Sequence, residues 1–266
     1  LVAAASRLDR AAPPVAIELA IAIGELELHA AEPDPVAFAT LAALGDELAG
    51  DPAHVDAVFA ARQLCAAHAL MRGELEPAAR ALRAIVALAK DAGSPADEIE
   101  ARLALAAALV EARDPIGLQE AGRLVELARD RAREHGLVQL GDAARIAQAG
   151  VLAATGKTGA ALDRVLELAR AAAANHDVAQ YVAAVGIMAE LYARTGDHVS
   201  AFRTIAEAHR ALADATGQDA TPLFRPLLAR LRDRVGAARL EQIAADVDRA
   251  NRLAAELRRP EPSDRE

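Results

Sequence analysis

Few residue runs in this chain could do chemistry. Gly156-Lys157-Thr158 ends like a phosphate-cradling loop, in which backbone N–H groups and a lysine hold the phosphates of a nucleotide. That chemistry needs a glycine five positions earlier and a strand in front, but position 151 is Val and Gly150 falls one place off. The seven histidines, His29, His54, His68, His135, His176, His198 and His209, include no i, i+4 pair able to ligate zinc from one helix face. His135, His176 and His198 stand in turn-like runs, where a solvated imidazole is the ordinary case. Serine occurs only at Ser6, Ser94, Ser200 and Ser263, none in a nucleophile-elbow pattern. Cys65 lies among Leu64, Ala66 and Ala67 and reads as a small buried hydrophobe rather than an activated thiolate. Glu74, Asp97, Glu98, Glu100, Glu126 and Glu167 read as residues of helix starts and exposed faces, explained by the helix dipole and by neighbouring cations. No catalytic constellation, no metal set and no cofactor is expected.

The elements that would have to position any site are helices. Hydrophobic residues make up 53% of the 266, aromatics only 2%, and about a quarter of all positions are alanine. A β-sandwich needs β-branched and aromatic strands, a disulfide scaffold needs more than one cysteine, and a disordered chain would hold less Leu, Ile and Val. The formal charge is -9, and lysine occurs only at Lys90 and Lys157. Phosphate-tracking nucleic-acid binding depends on clustered cations releasing counterions, so neither nucleic acid nor an anionic membrane surface is an expected partner. The cleanest apolar run, 103–110, falls far short of the roughly 18 residues a membrane-spanning helix needs. The first residue is Leu1 rather than Met, which reads as a processed or excised piece, in which any signal sequence or upstream domain would be invisible; a cytoplasmic setting is the expectation.

Helix-breaking clusters recur at a steady interval. With Pro33, Gly73, Asp114, Gly156, Gly196 and Gly236 as markers, the spacings are 40, 41, 42, 40 and 40. That is an internal repeat. A second set of breaks lies between them, at Gly50-Asp51-Pro52, Gly93-Ser94-Pro95, His135-Gly136, Asn175-His176-Asp177 and Thr216-Gly217, so each unit is two helices joined by a short turn. Asp34-Pro35, Asp51-Pro52, Ser94-Pro95, Asp114-Pro115 and Thr221-Pro222 place a side-chain acceptor at the N-cap and proline at the first helical position. Gly50, Gly93, Gly136 and Gly217 stand where a left-handed C-terminal cap is wanted. The expected organisation is a lead-in over 1–12, hairpins over about 13–50, 51–93, 94–136, 137–176, 177–217 and 221–257, and a disordered tail over 258–266.

Small residues fall in register with the markers. Seven positions before stand Ala66, Ala107, Ala149 and Ala189; five after stand Ala78, Ala161 and Ala201. A methyl side chain lets helix axes approach to about 8 Å, so these positions are expected at helix crossings. Leu64, Leu82, Ile85, Leu152, Val165, Leu168, Met188 and Ile205 are expected to fill the space between hairpins. The pattern Ala189-x2-Tyr192-x3-Gly196-Asp197-x3-Ala201, and likewise Ala66-x6-Gly73-Glu74-x3-Ala78, resembles the tetratricopeptide (TPR) repeat, in a longer-period variant. The resemblance covers about 13–257. It implies an all-α fold, a right-handed α-solenoid of about six antiparallel helical hairpins, whose first helices line a concave groove that binds another protein or peptide.

Carried over by register, the resemblance implies groove-facing positions at Ala60, Gln63, Ala67, Leu70 and Met71; Ala101, Ala104, Ala108 and Glu111; Ala143, Ile146, Gly150 and Ala153; Ala183, Gly186, Glu190 and Arg194; and Arg230 and Arg234. Some members clamp a partner's C-terminal carboxylate with Asn and Lys, and neither residue stands at these places, so a helical or apolar segment is the expected occupant. A second function class is a ligand- or peptide-sensing regulatory domain of a larger signalling or transcription protein; a third is an enzyme on a helical scaffold. In 236–257, Leu240, Val247 and Ala254 repeat every seven residues, as do Ile243, Ala250 and Leu257. This stripe reads as a capping helix over the final hairpin, with self-association as its alternative.

Overall fold

A computed structural model describes residues 13–30 and 32–257; the expected lead-in and tail lie outside the described residues. Among these the secondary structure is helical: α1 (Pro13–Leu28), α2 (Pro35–Glu47), a single 3-10 turn (Pro52–His54), α3 (Val55–Met71), α4 (Leu75–Asp91), α5 (Pro95–Ala112), α6 (Pro115–Glu134), α7 (Val138–Ala154), α8 (Thr158–Ala174), α9 (Val178–Arg194), α10 (His198–Thr216), α11 (Thr221–Val235) and α12 (Ala237–Leu257). The chain divides into two compact units, Leu1–Gly156 and Lys157–Glu266. The division falls inside the stretch 137–176 that the spacing assigns to one hairpin.

Turn chemistry explains most helix ends. Asp34, Asp114, Asp177 and Asp197 each accept a hydrogen bond from a backbone N–H two or three residues on, at 2.8 to 2.9 Å. Asp51 does the same from Ala53, but what it starts is the 3-10 turn before α3. Two expected caps are not formed. The Ser94 hydroxyl donates to Asp97 instead of accepting from the backbone, and Thr221 is already inside α11, where Asp219 accepts from its N–H at 2.9 Å. At the C-terminal ends, Gly93, Gly136 and Gly217 adopt the left-handed conformation expected of them, while Gly50 does not.

The most informative turn joins α5 to α6. In the turns after α3 and α9 a left-handed glycine is followed by a residue whose N–H reaches back along the last turn of the helix: Glu74 to the Ala69 carbonyl at 2.8 Å, Asp197 to the Tyr192 carbonyl at 3.0 Å. Between α5 and α6 the left-handed residue is Arg113, with φ 53°, and the turn is one residue shorter. The conformational marker is therefore Arg113 rather than Asp114, and the residue seven before it is Ala106. Ala106 is buried as Ala66, Ala149 and Ala189 are, whereas Ala107, expected at a crossing, is exposed.

In unit 1, each helix packs against the next in the chain, and α1 and α5 also contact the following first helices, α3 and α7. The main core joins Ala66, Ala79, Leu82, Ile85, Leu105, Ala106, Ala121 and Val125; Ile17, Leu41, Val58 and Ala61 form a cluster nearer the start. In unit 2, α9 contacts α8, α10 and α11, while α12 packs on α10 and α11. Its core joins Val185, Ala189, Ala201, Ile205, Phe224, Leu227 and Leu231. Of the expected filling residues, Leu82, Ile85, Val165, Leu168 and Ile205 are buried, and Leu64, Leu152 and Met188 are half-buried. On α12, Ile243 and Val247 are buried and Leu240 packs on the unit 2 core, while Ala250 is exposed.

These placements separate two otherwise similar substitutions. Ala189→Leu adds three carbons in a full core and is expected to destabilise by about 1–3 kcal/mol. Ala107→Leu adds them on an exposed face and is expected to change stability by less than about 0.5 kcal/mol. Urea denaturation of both variants checks this; equal losses would show that the short turn does not set the phase of α5.

Candidate functional site

Chemistry-bearing residues are dispersed. Gly156 and Lys157 lie in the turn before α8, which Thr158 opens, with Gly156 in the left-handed region (φ +78°) and a helix rather than a strand before it. Among the described residues, no three His, Cys, Asp or Glu side chains converge as a metal site, and no helix is long and apolar enough to cross a membrane. Cys65 donates its S–H to the Phe38 carbonyl at 3.6 Å, and burial pushes its thiol up to about 11, which leaves little thiolate at neutral pH. The His68 ring stacks on Phe38 with centroids 3.8 Å apart and planes 6° from parallel. Burial, helped by the nearby Arg72 cation and opposed by Glu74, holds its imidazole below the usual range, so it is neutral and serves as a packing ring. Helix periodicity places His68 and Cys65 one turn apart on α3; that Phe38, on the preceding helix α2, meets both was not legible locally.

One carboxylate departs from the expected solvated role. Glu98, in the first turn of α5, is 4% exposed. Its oxygens meet Arg102 at 2.6 Å and, from α6, Arg131 at 3.4 Å. Glu27 is also buried, and its carboxylate accepts from the Asp34 backbone N–H at 2.8 Å, tying the end of α1 to the start of α2. Both are satisfied structural groups.

The residues expected to face a partner lie as follows. On α3 in unit 1, Gln63, Leu70 and Met71 are exposed and Ala67 is half-buried. On α5, Ala104 is half-buried, Glu111 is exposed, and Ala108 is buried in the main core beside Leu82 and Leu105, so it offers no surface. Ile146 and Gly150 on α7 are half-buried. In unit 2, Glu190, Arg194 and Arg230 are exposed, and Gly186 is half-buried under Leu227 of α11. A Cβ at 186 would stand 2.9 Å from a Leu227 methyl, so α9 and α11 meet closely at this glycine. One turn further along α9 and two along α11, the Arg234 guanidinium reaches Glu190 at 2.9 Å, and Arg194 reaches the same oxygen at 3.7 Å.

Comparison with family models gives no match, and comparison with curated proteins gives none either. Among solved structures, the chain is similar to the crystal structure of a Podosopora anserina chain described as a kinesin light chain with nearly identical TPR-like repeats. The likeness has a TM-score of 0.60 at 14% identity and covers 78% of this chain and 100% of that one. At that identity it speaks for backbone architecture alone. Together with helices paired in chain order and turns recurring at a steady interval, it establishes that this chain has the TPR-like helical-repeat fold.

Proposed function

We propose that the chain is a non-catalytic protein-interaction module whose first helices present a recognition face to a helical or apolar segment of a partner protein, in a cytoplasmic setting. The carrying observation is in unit 1. The half-buried Ala67, Ala104, Ile146 and Gly150, with the exposed Leu70 and Met71, offer small and apolar side chains on α3, α5 and α7. Small side chains leave room for a partner helix to approach, and ordering them costs almost no rotamer entropy. A helical-repeat fold of this type ordinarily binds rather than reacts, in keeping with the dispersed polar groups.

Ala104→Arg tests the face. A guanidinium on a half-buried alanine that borders solvent is expected to leave the thermal melt nearly unchanged, while binding of a labelled alanine–leucine–glutamine helical peptide falls about tenfold or more. The same variant, run beside the wild type in capture from the source cell followed by mass spectrometry, should lose the specific partner. Wild-type affinity in the variant removes α5 from the recognition face.

A further inference from the structure

We propose that the first-helix face of unit 2 is an acceptor for an acidic protein segment, in which Arg194, Arg230 and Arg234 take side-chain carboxylates and Glu190 occupies the site in their absence. Glu190 and Arg194 lie one turn apart on α9, and Arg230 and Arg234 one turn apart on α11. The close approach of Gly186 and Leu227 lies one turn before Glu190 on α9 and two turns before Arg234 on α11, and guanidinium groups from both helices converge on a single Glu190 oxygen, at 3.7 and 2.9 Å. Neither contact is bidentate. Each guanidinium has five N–H donors in a planar fork, so two forks meeting at one oxygen keep most of their donors for another carboxylate.

Charge points the same way. The chain as a whole carries -9, yet here Arg194 and Arg234 meet one glutamate, and Arg230 is exposed one turn before Arg234 on α11. The adjacent Asp233 is engaged by Arg232, at 3.4 Å. All three members of the Glu190 group are more than 40% exposed, and ion pairs so exposed are weak, so an incoming carboxylate displaces Glu190 at little cost. Three cations on two helices are too few to track a phosphate backbone, which favours an acidic peptide over nucleic acid. This inference rests on the first helices forming the recognition face, and it adds the chemistry of the partner for unit 2.

The test uses the full chain and a labelled hexaglutamate peptide at low salt, followed by fluorescence anisotropy. Arg194→Gln and Arg234→Gln should each weaken binding by about fivefold or more, and added salt should weaken it further. Glu190→Gln should tighten it by about threefold or more, because it removes the internal competitor while keeping the shape of the side chain. A purely structural ion cluster predicts the opposite for that variant, no gain and a lower melting temperature. No gain with Glu190→Gln, no measurable binding by that variant, or a dodecathymidine strand that binds more tightly than hexaglutamate would each overturn the proposal. The uncharged helical peptide keeps the two readings apart: its loss with hexaglutamate binding intact counts against the apolar face alone, and the reverse counts against the acidic-segment site alone.

Discussion

Replacing Phe224 by alanine is expected to cost about 3–5 kcal/mol, the largest loss from a single side chain in unit 2. Phe224 is 1% exposed and heads the fully buried side chains by volume. It sits on α11 among Val185, Ala189, Ile205 and Leu227, so it joins that helix to both α9 and α10. Its ring also meets the edge of His209, centroids 5.7 Å apart and planes at 84°, an arrangement that adds to simple area burial. The surrounding alanines have no rotamers with which to fill the space, so the cavity should stay open and the cost should fall in the upper part of the range. Urea denaturation followed by circular dichroism measures it, with Phe224→Leu as the smaller, volume-retaining change. A loss under about 1 kcal/mol would mean that the neighbouring helices close on the gap or that α11 is not anchored by this ring.

Glu98→Ala is expected to be comparably severe, for an electrostatic reason. The Glu98 side chain is 5% exposed and that of Arg102 13% exposed, with 2.6 Å between the charged atoms. Removing the carboxylate leaves a mostly buried guanidinium without its counter-charge, a defect that costs about 3–5 kcal/mol. Arg131 is less affected, since it is 39% exposed and also reaches Glu134 at 3.3 Å. The decisive comparison is Glu98→Leu with Arg102→Leu in one chain. Replacing both charges by apolar groups should restore most of the loss, because the pair contributes little beyond what leucines of similar volume would. A double variant as unstable as Glu98→Ala would show instead that the pair stabilises α5 in its own right, and additive single losses would show that the two residues do not interact.

Much of this architecture was legible in the sequence because its signals are local. A proline after an aspartate, a glycine where a left-handed residue is wanted, and alanine at fixed distance from both lie close together along the chain. Five near-equal intervals then reveal a repeat that no single turn could. The positions proposed for recognition were legible only as a register. Gln63, Leu70, Met71, Glu111, Glu190, Arg194 and Arg230 are exposed, but Ala108, on the same phase, is in the core. Phase along a helix is set by the turn before or after it, and the left-handed conformation of Arg113 shortens one turn without any glycine to announce it. Asn, Asp and Gly advertise such a conformation; arginine does not.

What the sequence determined by itself was the class of element and its recurrence in sequential helix pairs, since helix periodicity, caps and composition act over short stretches of chain. Which carboxylate is buried, which alanine lies at a crossing, and which arginines share one glutamate were decided only by tertiary structure. Glu98 on α5 needs Arg131 near the far end of α6, and Glu190 on α9 needs Arg234 from α11, two helices further along the chain. The physical reason is that burial and ion pairing depend on how helices are phased and packed, and a one-residue change in a turn rotates every later side chain by about 100°.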